Sequence, residues 1–218
     1  MLVQLFALRR FLIAVLLLCA PLLADAANDV AFVSQLSGEV THISPGGIPK
    51  KARAFMAVQQ GDRFAVAARG SLRVVYFADA REEIWTGPAS FRAAAARGDR
   101  IGGHDPRVAT LPPSVPRQLA RVPDLIQSAR HGGSAMKGAR LSPSERERAD
   151  LAEAKATYGK MRAAAARDDV TPELYLFSVL HGYSLYEELG PVAENMLKRQ
   201  PRSDDIRALA KWARVNRP

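Results

Sequence analysis

With 218 residues, 31 Lys and Arg against 22 Asp and Glu, and a net charge of +9 at pH 7, the chain is long enough for one or two packed domains and favours anionic neighbours. Arg outnumbers Lys 24 to 7, but the charges are scattered rather than clustered with aromatics, so the footprint of a nucleic-acid-binding protein is missing. Alongside many Ala, Gly and Pro, this balance reads as compositional bias ahead of a dedicated polyanion site. Cys19 is the single cysteine, which excludes a disulfide framework and a cysteine metal centre.

The first 26 residues have the three parts of an export signal: Arg9 and Arg10, the apolar run 11–23, and Ala24-Asp25-Ala26, with cleavage expected before Ala27. Thirteen helical residues reach about 20 Å, short of the roughly 30 Å hydrocarbon core of a bilayer. Leu18 before Cys19 is large where lipoprotein signals have a small residue, which argues against lipidation. The mature chain is therefore expected in the periplasm, with membrane contact only through the signal peptide before cleavage.

Short strands separated by turns follow, the pattern of a meander or sandwich rather than of βαβ units. Residues 30–36 and 39–43 read as strands around Gly38, Ser44-Pro45-Gly46-Gly47 as a turn, and 50–57 as holding another short strand. Gly61-Asp62 turns into 63–67, and Arg69-Gly70 turns into 71–78. In that last strand Leu72, Val74 and Tyr76 share one face and Arg73, Val75 and Phe77 the other, so it is expected at the centre of a sheet. Residues 79–82 read as a turn, 83–86 as a strand, and 90–94 as the last strand of the set.

Gly38-Glu39-Val40, Gly61-Asp62, Gly70-Ser71 with Leu72, Val74 and Tyr76, then Asp79, Ile84 and Gly87-Pro88-Ala89-Ser90-Phe91 together resemble the FecR domain, the periplasmic domain named for the iron-dicitrate transport regulator. The resemblance covers about residues 30–100 and implies a β-rich extracytoplasmic domain that recognises partners or transmits signals without catalysis. At one position the sequence departs from it: the family has Gly after the turn Asp, where Ala80 and Arg81 follow Asp79, so a longer hairpin is expected. Only ten residues precede the apolar run, so an anti-sigma segment and direct control of a sigma factor are not expected.

Residues 101–141 are rich in Gly and Pro and read as a linker or packed loop, with one short helix over 118–129. From 142 the sequence reads as helical. Ser142-Pro143-Ser144-Glu145 suggests an N-cap Ser, Pro at the first position and Glu at the third, opening a helix to about residue 167. Thr171-Pro172-Glu173 opens a second, apolar almost all round and expected to be buried, to about 189. Gly190 is expected to end it, Pro191 to start a third, and 201–205 to open a fourth. Leu189-Gly190, Ala193, Leu197 and Pro201 resemble part of a tetratricopeptide repeat, which would imply a protein-binding groove; an ordinary bundle fits the same residues. The expected fold class is α+β: a signal peptide (1–26), a FecR-like all-β module (27–100), a linker or packed loop (101–141), and a bundle of about four helices (142–218).

The chemistry-bearing residues do not form a catalytic pattern. His42, His104, His131 and His181 fall in separate elements with no H-x-x-H spacing, and no nucleophile elbow or phosphate loop occurs. No cofactor, metal or enzymatic activity is expected. The leading expectation is an exported adaptor of the bacterial cell envelope that meets an envelope protein or a wall polymer. Tyr76, Arg81 and Trp85 are the candidate contacts on the β-module, with core burial the commoner fate of such a Trp. Tyr175, Tyr183, Tyr186 and Trp212 are the candidates on the helices. A peptidoglycan or polysaccharide binder, and an accessory of signalling to an outer-membrane transporter, are the alternatives.

Overall fold

The computed structural model describes residues 29–133 and 144–216. The expected export signal and Ser142-Pro143 lie outside them.

The chain is α+β, and its described residues form ten strands in two antiparallel sheets followed by helices. The first sheet is ordered β10 (Arg107–Thr110), β7 (Arg81–Thr86), β6 (Ser71–Tyr76), β1 (Asp29–Ser37), β4 (Ala57–Gln59). The second is ordered β3 (Lys50–Lys51), β2 (Val40–Ile43), β5 (Arg63–Val66), β8 (Ala89–Ala93), β9 (Gly98–Gly103). As its two apolar faces require, β6 is the middle strand of its sheet, paired with β1 and β7. The stretch expected to hold one strand over 50–57 gives β3 and β4, which belong to different sheets.

The two sheets pack through the inward side chains of alternating strands. Val33, Val40, Phe64, Leu72, Val74, Tyr76, Trp85 and Phe91 form this core. Its rings stack in series, Phe64 on Phe91 at 5.2 Å and Phe91 on Trp85 at 4.2 Å between centroids. Three turns meet closely at one end of the sandwich. A Cβ on Gly38 would lie 2.8 Å from the Gly70 Cα, and one on Gly87 would lie 1.8 Å from the Ala67 carbonyl oxygen. Gly87 N–H donates to the Gly70 carbonyl at 3.0 Å, so the glycines are fixed by this approach of backbones.

The described part of the Gly/Pro-rich stretch is largely regular structure. It contributes β9 and β10, an edge strand to each sheet, and then two short helices, α1 (Ser114–Leu119) and α2 (Val122–Arg130), in place of the single expected helix. Its glycines suit an edge strand pressed against the core: a Cβ on Gly98 would meet Trp85, Glu83 and Phe91, all within 2.8 Å.

Four longer helices follow: α3 (Glu145–Ala164), α4 (Thr171–Gly182), α5 (Tyr186–Arg199) and α6 (Asp204–Val215). The cap of α3 is Ser144, in a reciprocal capping box with Glu147, rather than Ser142. The second helix ends at Gly182, earlier than the expected 189. Ser184 takes a left-handed φ of 57°, and the Leu185 N–H donates to the Leu180 carbonyl at 2.9 Å, a Schellman-type closure. Gly190 and Pro191 then lie inside α5 instead of marking its start.

Residues 171–180 of α4 are all buried, with α1, α2, α3 and α5 packed around them. The helices close on the outer face of the first sheet. Phe32, Phe55 and Val75 share a core with Leu119, Leu174, Phe177, Leu180 and Trp212. The molecule therefore has three layers, with the β1-containing sheet covered on both sides.

The expected lengthening at residue 80 is not seen as such. Four residues connect β6 to β7, and Ala80 absorbs the departure by adopting a φ of +56°. A left-handed conformation costs a non-Gly residue about 1–2 kcal/mol. Ala80→Gly should therefore leave thermal stability equal or higher despite the loss of a buried methyl. Ala31→Gly, at a fully buried position in β1, should cost about 1–2 kcal/mol. Chemical denaturation of the two variants checks the contrast, and equal losses would refute it.

Candidate functional site

Tyr76, Arg81 and Trp85 come together, but inside the sandwich. They surround Glu83, the residue that the sequence reading missed. Glu83 is fully buried on the inward face of β7. Its carboxylate accepts hydrogen bonds from Arg81 Nε at 2.6 Å, Trp85 Nε1 at 3.0 Å and the Gly98 N–H at 3.0 Å. Gly98 belongs to β9, so this carboxylate fastens one sheet to the other. The Tyr76 hydroxyl is buried too, and burial, then the charges of Glu83 and Asp99, push its pKa up. The expectation that Tyr76 and Trp85 offer a contact surface is thus corrected, because both are fully enclosed. Arg81 alone of the three reaches solvent. The i, i+2 spacing of Glu83 and Trp85 on an alternating strand was the available signal, since it sets them on one face.

On the helices the expectation is corrected in part. Tyr175 and Trp212 are buried, and Tyr183 and Tyr186 are half-buried. Trp212 Nε1 donates to the Gly133 carbonyl at 2.6 Å, and its ring packs against Phe177, His181 and Tyr186 at 5.5–6.4 Å. Burial, then the positive charge of Arg121, lower the His181 pKa. A neutral His181 suits its place among rings, in keeping with a core role. The Tyr183 hydroxyl reaches Asp150 at 3.5 Å, so the half-open part of this layer lies around Tyr183 and Tyr186.

A second polar cluster joins the layers. Arg73, on the outward face of β6, pairs with Asp169 in the turn between α3 and α4 and approaches Glu82 at 3.7 Å. The other Asp169 oxygen accepts from the Thr171 N–H at 2.8 Å. Glu173, fully buried, is held by Arg162 and Arg199, both at 3.1 Å. A shallow depression of about 480 Å³ beside this cluster is lined by Arg167, Asp168, Asn195, Lys198 and Arg199. Arg199 is committed there to Glu173 and to the Arg167 carbonyl, so part of its wall is structural.

The outer face of the second sheet carries no covering layer among the described residues. Register places Ile43, Arg63, Arg92 and Asp99 in one row across β2, β5, β8 and β9. The adjacent row holds Lys51, Thr41, Ala65, Ser90 and Gly102. A depression of about 490 Å³ at the β3 end is lined by residues 38–41 and 49–51, and so shares Thr41 and Lys51 with that row. Among the described residues no group of three His, Cys, Asp or Glu could hold a metal ion, and no helix is long and apolar enough to cross a membrane. His42 and Asp62 meet at 3.1 Å, and Asp62 also accepts from the Gln59 N–H at 2.9 Å.

The fold defines a two-sheet sandwich with a helical layer on one side. No family model matches the chain, and no curated protein matches it. Among solved structures, a cell surface anchoring domain is similar to part of it, at 19% identity and a TM-score of 0.29, over 31% of this chain and 87% of that one. An overlap of that extent carries neither the whole fold nor a function.

Two buried carboxylates make opposite predictions. Glu83→Ala strands the Trp85 and Gly98 donors in the core and should cost about 3–5 kcal/mol in denaturant unfolding; a loss below 1 kcal/mol would contradict the fastening role. For Glu82, burial is the main cause of a raised pKa, opposed by Arg73 and assisted by Asp169. The folded state then holds a proton that the unfolded state has released, so stability falls as pH rises through the folded pKa. Glu82→Gln should therefore melt higher than wild type at pH 7, with the difference closing towards pH 4. Parallel melting curves over that range test it.

Proposed function

We propose that this chain is an exported, non-enzymatic binding protein of the bacterial cell envelope that presents one surface on its β-sandwich and another on its helices. The observation that carries this reading is the order of layers. The β1-containing sheet is covered on both faces, which leaves the outer face of the second sheet and the far side of the helices as two surfaces on opposite sides of the molecule. Such a body suits an adaptor that holds an envelope component on one side and a protein on the other.

Three further features support it. Residues 1–26 have the composition of an export signal. Three of the four glycines of the FecR-like pattern, Gly38, Gly70 and Gly87, sit at one convergence of turns, which supports the resemblance. The buried carboxylates of Glu83 and Asp169 fasten one layer to the next, and that of Glu173 ties neighbouring helices, in place of lining a reactive cleft. The helices gather round α4 as a bundle, so a protein partner would be met at the outer surface near Tyr183 and Tyr186.

Cell fractionation and photo-crosslinking test the proposal together. The mature protein should be recovered from the periplasm with Ala27 at its amino terminus. A benzophenone amino acid at Tyr183 should capture a protein, and one at the exposed Ala65 position on the opposite face should capture envelope material. Retention in the cytoplasm with an intact amino terminus would overturn the reading.

A further inference from the structure

We infer that the outer face of the second sheet is a binding site for an anionic polysaccharide, with Arg63 and Arg92 as its central cations and Lys51 at its β3 side. The inference rests on the envelope reading only for the setting in which such a polymer is met.

Arg63 and Arg92 are cross-strand partners, directly opposite each other on β5 and β8 and both exposed. Like charges in that relation destabilise a sheet. The arginines that this chain uses structurally lie against carboxylates: Arg73 on Asp169, Arg81 on Glu83, Arg162 and Arg199 on Glu173. Neither Arg63 nor Arg92 has such a partner among the described residues. Asp99, across from Arg92, is paired with Arg97 at 3.3 Å. Asp62, next to Arg63 in sequence, is buried and turned to His42 and the Gln59 N–H. The counter-charge for the arginine pair is therefore open to supply from outside, and a guanidinium is suited to receive a carboxylate or phosphate through two hydrogen bonds.

The spacing of the cations selects a polymer. Lys51 lies on β3, Arg63 two strands away and Arg92 three strands away, so the charges extend over about 14 Å at roughly 4.8 Å per strand. A single small anion cannot span that distance, whereas a chain bearing several anionic groups can. The row beside the arginines, Thr41, Ala65, Ser90 and Gly102, offers small side chains and two hydroxyls as a floor, and it opens into the depression at Lys51. A lipid surface is the weaker match, because interfacial binding needs a contiguous apolar face. The exposed Ile48 and Ile101 instead sit at opposite edges of the sheet, before β3 and on β9.

The mature protein from Ala27 would be titrated with polygalacturonate, with neutral dextran, and with phosphatidylglycerol vesicles, at low and moderate salt. Binding to polygalacturonate but not dextran is expected, weakening as salt rises. Arg63→Ser/Arg92→Ser should reduce affinity at least tenfold without lowering the melting temperature, since it removes a repulsion. Arg148→Ser/Lys160→Ser on α3 should bind as wild type. Unchanged binding by the sheet variant, no binding to the polymer, or capture by vesicles alone would each overturn the inference. A positive titration combined with cytoplasmic retention would sink the envelope reading while leaving this site intact.

Discussion

Asp169 is 2% exposed, and it stands where the helical layer turns against the sandwich. One of its oxygens takes Arg73 from the middle of β6, and the other takes the Thr171 N–H that opens α4. Removing a carboxylate and a guanidinium from water is costly, and only full engagement of both makes the arrangement tenable. The contact therefore fixes an orientation as much as it adds attraction. Around it the apolar surface closes: Phe32, Phe55 and Val75 from the sheet side meet Leu174, Phe177 and Leu180 of α4. Glu173, one turn further along, ties Arg162 of α3 and Arg199 of α5 to the same corner. Without this corner the outer face of the first sheet would be exposed apolar surface, and α4 would lose the layer that encloses it.

Much of this architecture was legible in the sequence. Alternation over 71–76 gave a central strand with two buried faces, and the apolar circumference of 171–180 gave an enclosed helix. Both follow from periodicity, which registers burial without any knowledge of the partner. The turns at Gly38, Gly70 and Gly87 were legible for a different reason, since these glycines are set by backbone approach. What could not be seen depended on distant residues. β9 and β10 lacked strand composition because an edge strand tolerates Gly and polar residues when a neighbour supplies the ladder. The end of α4 was hidden because Ser184 does the work usually given to Gly, while Gly190-Pro191 imitated a boundary inside α5.

The candidate site was less legible than the fold. Trp85 and Tyr76 attracted a binding role because aromatics beside charges often face a ligand, yet Glu83 draws Trp85 inward and burial encloses both. The open face has the opposite character. Its charges looked like part of a general arginine excess, and only the register of β5 with β8 sets Arg63 against Arg92. Pairing across strands is a tertiary fact that one-dimensional spacing does not record. The functional reading changes accordingly, from aromatic contacts on the sandwich to cations on a flat sheet.

Joined through the Arg73–Asp169 corner, sandwich and helices should unfold as one unit. Native-state hydrogen exchange of the mature protein tests it most directly, by comparing β6 amides with those of α4. Cooperative global opening would give both sets the same limiting free energy and denaturant dependence. Exchange of α4 at a distinctly lower free energy, with β6 still protected, would show that the helical layer opens on its own and would contradict the account.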